Sequence, residues 1–247
     1  MARLLGTASS HGMTSRMAPP TLDYTGGTFL LKMPFTNSSG FSDQSSNNFS
    51  FTQEGSVSIS GGGKWGTGAL YIPNNGSTSS GSMNRLYRSS TFWNNILSGG
   101  NSPTTSFYTS AWVYPTQTVS SFQTYFYGAD EAGVPNGCYM AYYANQQAGV
   151  GWQDYVSSNT NDVPINTWTH LLWSFRHTDK QHNFYVNGVR KAQVTQRIYY
   201  AGSQTRFHIG IRDSNINVTQ VTFYMNDLVI KTGVTVDNEF TAPAALT

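Results

Sequence analysis

From Thr28 to the C-terminus the chain alternates short apolar runs with clusters of Gly, Asn, Ser and Pro, the spacing of an antiparallel sandwich or barrel. The clearest run is 169–176, where Leu171, Trp173 and Phe175 alternate with His170, Leu172, Ser174 and Arg176. A period of two places the first set on the core side of a strand. Asn187-Gly188 then separates two strand-like runs and predicts a hairpin with a type I′ turn, which needs positive φ at both central positions. Further strands are expected over 28–34, 56–60, 69–73, 106–114, 124–128, 139–144, 207–211 and 219–231. Only 90–98 carries helical spacing, through Phe92, Trp93, Ile96 and Leu97, and 74–83 is a low-complexity loop. Trp112, Trp168 and Trp173 sit in alternating strands and are expected to fill the space between two packed sheets.

The first 24 residues behave differently, with no sustained period of 2 or 3.6. Residues 1–25 are therefore read as an N-terminal arm and 26–247 as one β domain. The arm is either a disordered leader or a segment that orders on a partner, with Arg3, Leu4, Leu5, Arg16 and Met17 as its contact residues. Leu4-Leu5 is too short for a signal-peptide core, and no apolar run approaches the ~20 residues of a membrane span. Charged residues make up 11% of the chain against a typical ~25%, which argues against a coiled coil or a charged disordered tail. The net charge is +2 and no basic cluster extends beyond Arg190-Lys191, so nucleic acid is not an expected partner. Cys138 is alone and reads as a small apolar strand residue.

Several segments resemble one family. Gly63-Lys64-Trp65-Gly66-Thr67-Gly68-Ala69-Leu70-Tyr71 is followed by Phe107 to Thr116 with its Ala-Trp-Val-Tyr core. Asn166-Thr-Trp-Thr-His-Leu171, Phe184-Tyr-Val-Asn-Gly188 and Met225-Asn-Asp-Leu-Val-Ile230 come after it. Phe41-Ser-Asp-Gln-Ser-Ser-Asn47 resembles the family's Asp-Ser-Ser-Gly-Asn loop with the glycine replaced. Together they are similar to the concanavalin A-like (laminin G-like) jelly roll, in the form found in phage virion and bacterial surface proteins, over about 26–243. The resemblance implies an all-β, two-sheet antiparallel jelly-roll sandwich carrying an extended N-terminal arm. It also implies a non-enzymatic virion component, a capsid decoration or tail fibre module, with other virion proteins and copies of itself as partners and the virion as its location. A carbohydrate-binding module or adhesin of a bacterial surface or secreted protein is the alternative, and a degenerate glycoside hydrolase a third reading.

Hydrolases on this fold carry Glu-x-Asp-x-Glu on one strand, because acid and nucleophile flank the glycosidic bond. No such triplet occurs; the nearest pairs are Asp237/Glu239 and Asp130/Glu131, so no catalytic residue is assigned. The five His residues lack zinc-helix spacing. Asp213-x-Asn215-x-Asn217 resembles the opening of a calcium loop, but Val218 and Tyr224 stand where glycine and glutamate belong. Calcium at Asp213 or Asp130 is the one cofactor the family resemblance allows. Gly61 to Gly66 matches Gly-x-Gly-x-x-Gly, yet a strand follows it and not a helix, so it is read as a loop. The sequons at Asn37, Asn48, Asn75 and Asn217 are as many as chance supplies. Cell-surface glycan binding is expected instead from aromatic rings beside amides, with Trp152 and Tyr155 in a turn-rich stretch, Gln153 between them and Tyr127 on a neighbouring strand.

Overall fold

The computed structural model describes residues 20–22, 24–74, 84–89, 104–119, 123–130, 139–151, 156–195, 206–210 and 221–246. Among them lie fifteen strands in two antiparallel sheets and no helix. The first sheet sets β13 (Val189–Thr195), β12 (Gln181–Val186), β11 (Thr169–Arg176), β6 (Phe107–Pro115), β15 (Phe223–Thr232), β4 (Ala69–Ile72) and β3 (Ser58–Ser60) side by side. The second has the order β10 (Val156–Ser157), β9 (Gln147–Gly151), β8 (Tyr139–Tyr143), β7 (Gln123–Asp130), β14 (Arg206–Gly210), β5 (Arg85–Ser89) and β2 (Thr52–Glu54). The expected two-layer sandwich is present. The helix expected over 90–98 lies outside the described residues, as do Cys138 and most of the 74–83 loop. Among the strands, β2, β5, β9 and β10 carried no clear sequence signal: β5 offers one buried apolar side chain, Leu86, and β9 reads Gln-Ala-Gly-Val-Gly.

The alternation in β11 runs as the pattern requires. Leu171, Trp173 and Phe175 join the large core between the sheets, together with Phe107, Phe126, Phe184 and Phe207. Trp173 meets Phe107 edge-on at 5.1 Å and donates its indole N–H to His182 Nδ1 at 3.0 Å. Asn187 and Gly188 take φ of 50° and 83°, which is the turn the Asn-Gly pair predicted. Tyr127, expected at a sugar site, is 1% exposed and its hydroxyl bonds Thr109 Oγ1 across the two sheets at 2.6 Å. It presents no ring face to a ligand, and burial pushes its hydroxyl pKa up.

Strand β15 is flanked on one side by β6 along most of its length. On the other side β4 pairs its first residues, 223–225, and β1 (Thr28–Met33) its last, 228–232. A bulge separates the two stretches, with Asp227 at a φ of 54°. In the gap between β1 and β4, Asn226 donates to the carbonyls of Pro34 (3.2 Å) and Gly68 (2.8 Å) and accepts from the Lys64 N–H (3.0 Å). One fully buried amide therefore ties three backbone segments to the bulge.

The outer face of the first sheet carries a second apolar cluster of Tyr108, Leu172, Tyr185, Val229 and Phe240, joined by Leu22, Tyr24, Val236 and Leu246. The chain after β15 crosses this face as a strap. Val236 N bonds Ser174 Oγ at 2.8 Å, Phe240 N bonds Gly188 O at 3.0 Å, and Leu246 N bonds Asp227 Oδ2 at 3.1 Å. A Cβ on Gly188 would sit 1.7 Å from the Phe240 carbonyl oxygen, so this glycine serves both the turn and the strap. Residues 20–22, read from sequence as arm, lie against the strap: Thr241 N donates to Pro20 O at 2.8 Å and Leu22 N to Thr241 O at 3.1 Å. The root of the arm is thus part of the domain; Arg3, Leu4, Leu5, Arg16 and Met17 lie outside the described residues.

Candidate functional site

Beyond the strap, the outer face of the first sheet stays open. Tyr71 on β4, Tyr224 on β15 and Tyr114 on β6 are cross-strand neighbours in register, and Trp168 immediately precedes the β11 residue that pairs with Val113. Ring centroids follow one another at 4.9 Å (Tyr71 to Tyr224), 5.8 Å (Tyr224 to Tyr114) and 5.4 Å (Tyr114 to Trp168). With strands ~4.8 Å apart, four adjacent rings make a platform roughly 15 Å long. All four are partly exposed. A groove of about 390 Å³ runs over three of the rings, lined by Tyr114, Trp168 and Tyr224 with Ser60, Gly62, Gly63, Thr116 and Asn166.

Trp112 and Trp168, expected between the sheets, instead face outward. Trp168 lies five positions before Trp173, an odd offset, so on one strand the two must point to opposite faces. Trp112 pairs with His170, a residue of the outward set. That parity was present in the sequence and is the signal that identifies the site.

The groove wall continues into the Gly63–Gly68 loop. Gly63 has no room for a side chain, because a Cβ there would lie 2.0 Å from Gly68 O. Asn226 holds Lys64 N, and Trp65 Nε1 donates to Asp227 Oδ2 at 3.0 Å. Trp65 meets Trp112 edge-on at 5.8 Å, and Lys64 Nζ lies 3.8 Å from the Trp112 ring centre and 4.8 Å from that of Trp65. The Gly-x-Gly-x-x-Gly run is a loop, as read, and its function is to fix this corner.

Burial shapes the ionisation here. His170, fully buried between Trp112 and Phe240, has its pKa pushed down to about 3, first by desolvation and then by the nearby Lys64 charge. Burial raises Asp227 to about 6, although the Leu246 and Trp65 N–H donors and Lys32 oppose it. Burial lowers Lys64. It raises Tyr224, with Tyr71 and Tyr114 adding to the shift, so Tyr224 keeps its proton at neutral pH and can donate.

The other expected site residues fall elsewhere. Trp152, Gln153, Tyr155 and Asp213 lie outside the described residues, and Asp130 is placed only by its backbone pairing with Arg206. No group of three or more His, Cys, Asp or Glu side chains converges among the described residues. Asp43 accepts from Lys32 N, Ser45 N, Ser45 Oγ and Phe49 N at 2.8–3.0 Å, which makes its loop a structural clasp. Asp237 binds Arg176 at 3.1 Å and Glu239 accepts from Arg190 N; both serve the edge of the strap.

A family model described as the concanavalin A-like lectin/glucanases superfamily matches residues 93–239, more than half of the chain. The chain belongs to this superfamily. Its sandwich is the superfamily's jelly roll. No curated protein sequence matches it. Among solved structures it is similar to a botulinum neurotoxin type C structure, described as showing cell entry dependent on two ganglioside molecules, with a TM-score of 0.63 and 14% identity over 85% of this chain and 49% of that one. The receptor-binding domain of botulinum neurotoxin D gives 0.60 and 17%, over 85% and 50%. The binding domain of botulinum neurotoxin DC in complex with SialylT gives 0.61 and 12%, over 85% and 48%. At such identities the likeness is one of fold, and this chain spans about half the length of those structures.

Proposed function

We propose that this lectin-like jelly roll is a non-catalytic glycan-binding module and that the saccharide lies on the Tyr114, Trp168 and Tyr224 rings. The observation that carries this reading is the half-exposed aromatic row running across four strands beneath an open groove. The C–H faces of a pyranose stack on such rings, while a few aimed polar groups fix its orientation. The Asn166 carboxamide and Ser60 hydroxyl line the groove and have no partner among the described residues. Glycoside hydrolysis needs two carboxyl groups flanking the bond, and none of the lining residues is acidic.

The test is a glycan array read with the full chain, Trp168→Ala, Tyr224→Ala and Trp152→Ala in parallel. Loss of binding in the first two with unchanged melting supports the groove. Binding that survives both, or disappears only in Trp152→Ala, overturns it in favour of the stretch around residue 152.

Display on a phage particle, in several copies that multiply weak glycan contacts, is the setting we infer from the family resemblance and the arm. What supports it is the pinning of Pro20 and Leu22 against Thr241, which gives residues 1–19 a fixed starting point on the domain. Removing residues 1–19 should leave the melting temperature unchanged and abolish incorporation into particles; normal incorporation refutes the tether.

A further inference from the structure

Lys64 differs from the ion-paired cations among the described residues. Arg85 is bound to Glu54 at 2.7 Å, Arg176 to Asp179 and Asp237 at 2.7 and 3.1 Å, and Lys191 to Asp162 at 2.8 Å. Lys231 donates to the Tyr24 carbonyl. The Lys64 ammonium faces two indole rings and has no carboxylate partner among the described residues. It is partly desolvated, which lowers its pKa. Cation–π contact offsets some of that cost, and a ring face is no substitute for the oxygen acceptors that the three N–H donors of an ammonium can take.

Its position is fixed with respect to the groove. Lys64 follows Gly63, which lines the groove. The Trp112 ring beneath the ammonium belongs to the residue two before Tyr114 on the same face of β6, ~7 Å along the strand. The charge therefore stands one side-chain row inward from the ring platform, at the edge of the groove, whose lining includes Gly63 but not Lys64 itself. The loop that carries it is held before any ligand arrives, through Lys64 N on Asn226, the Trp65 indole on Asp227 and Gly66 N on Gly63 O. No acidic side chain lines the groove beside it.

We propose that Lys64 is the charge-selecting residue of the groove and that the glycan it serves is acidic, a saccharide whose carboxylate or sulfate meets the Lys64 ammonium. This rests on the glycan reading of the groove and names its ligand class. A charge-assisted bond of this kind is about twice as strong as a neutral one, and where water is partly excluded it is screened by salt less than a surface pair.

The experiment is calorimetric titration of the full chain with tetragalacturonate, its fully methyl-esterified form and a κ-carrageenan tetrasaccharide, alongside a neutral glycan array. At least one acidic probe should bind 10-fold or more tightly than the ester, and the probe that does so identifies carboxylate or sulfate as the partner. Lys64→Gln should remove that preference, bringing acid and ester affinities to within 2-fold of each other. Lys64→Arg keeps the charge and should keep the preference, which separates charge loss from damage to the loop. Equal binding of acid and ester by the wild-type chain, or a preference that persists in Lys64→Gln, overturns the assignment. Trp168-dependent binding of neutral glycans alone overturns it while the groove reading stands. No binding to any probe or array glycan overturns both.

Discussion

The two ends of the outer face of the first sheet are built from the same strands and the same alternating pattern, yet they have different fates. At one end Tyr108, Leu172 and Tyr185 lie beneath Phe240 and the strap. At the other Tyr114, Trp168 and Tyr224 remain open, and Trp112 under Lys64 and Trp65 marks the boundary. Along β6 the outward side chains Tyr108, Ser110, Trp112 and Tyr114 pass from covered to bare within four positions. Apolar side chains on the outer face are therefore not evidence of a core: what decides their role is whether another piece of chain reaches them. The strap reaches the first end because Gly188 accepts Phe240 and Asp227 accepts Leu246.

The sharpest contrast comes from truncating one ring in each environment. Trp173→Ala, between the sheets, should cost about 3–5 kcal/mol, because it leaves a sealed cavity and strips His182 of its indole donor; denaturant unfolding measures it. Phe240→Ala, on the strap, should cost about 3 kcal/mol and act locally. Limited proteolysis should then remove residues 233–246 before the sandwich opens, whereas cleavage that tracks global unfolding would show strap and sandwich to be one cooperative unit.

The boundary between the two ends should be visible as pH dependence. His170 in the fold has a pKa well below the unfolded value of ~6.5, near 3. Acid therefore protonates the unfolded chain first, and stability is lost as pH falls through this window. Asp227 is raised to about 6, so its contribution runs the other way, with stability lost as pH rises from ~4 to 6. The two oppose each other between pH 4 and 6. The stability of His170→Phe relative to wild type should be about 2 kcal/mol more favourable at pH 4.5 than at pH 7.5, measured by denaturant unfolding. Asp227→Asn should abolish the opposing slope; a wild-type slope in both variants would place the acid sensitivity elsewhere. The smallest effect is expected in the open groove, where Trp168→Ala should change stability by less than about 1 kcal/mol while removing glycan binding.

Much of the fold was legible in the chain. Strand β11, the Asn-Gly hairpin and the two-layer class followed from period-two alternation and turn chemistry, since both are local consequences of backbone geometry. The short strands β2, β5 and β9 were not legible, because they are held by neighbours and not by their own apolar residues. The site was half legible: the odd spacing of Trp168 and Trp173 already sends them to opposite faces, but nothing local distinguishes an outward ring that is covered from one that is bare. Tyr127 shows the converse, an aromatic beside a turn-rich stretch that the other sheet claims through Thr109.

The sequence by itself determined the sandwich, its principal strands and which side chains share a face, for these depend on residues two apart. Only the tertiary structure decided which faces are sealed, because Phe240 and Leu246 are brought to His170 and Asp227 by contacts 70 and 19 residues distant in the chain, and no periodicity encodes where a returning segment stops.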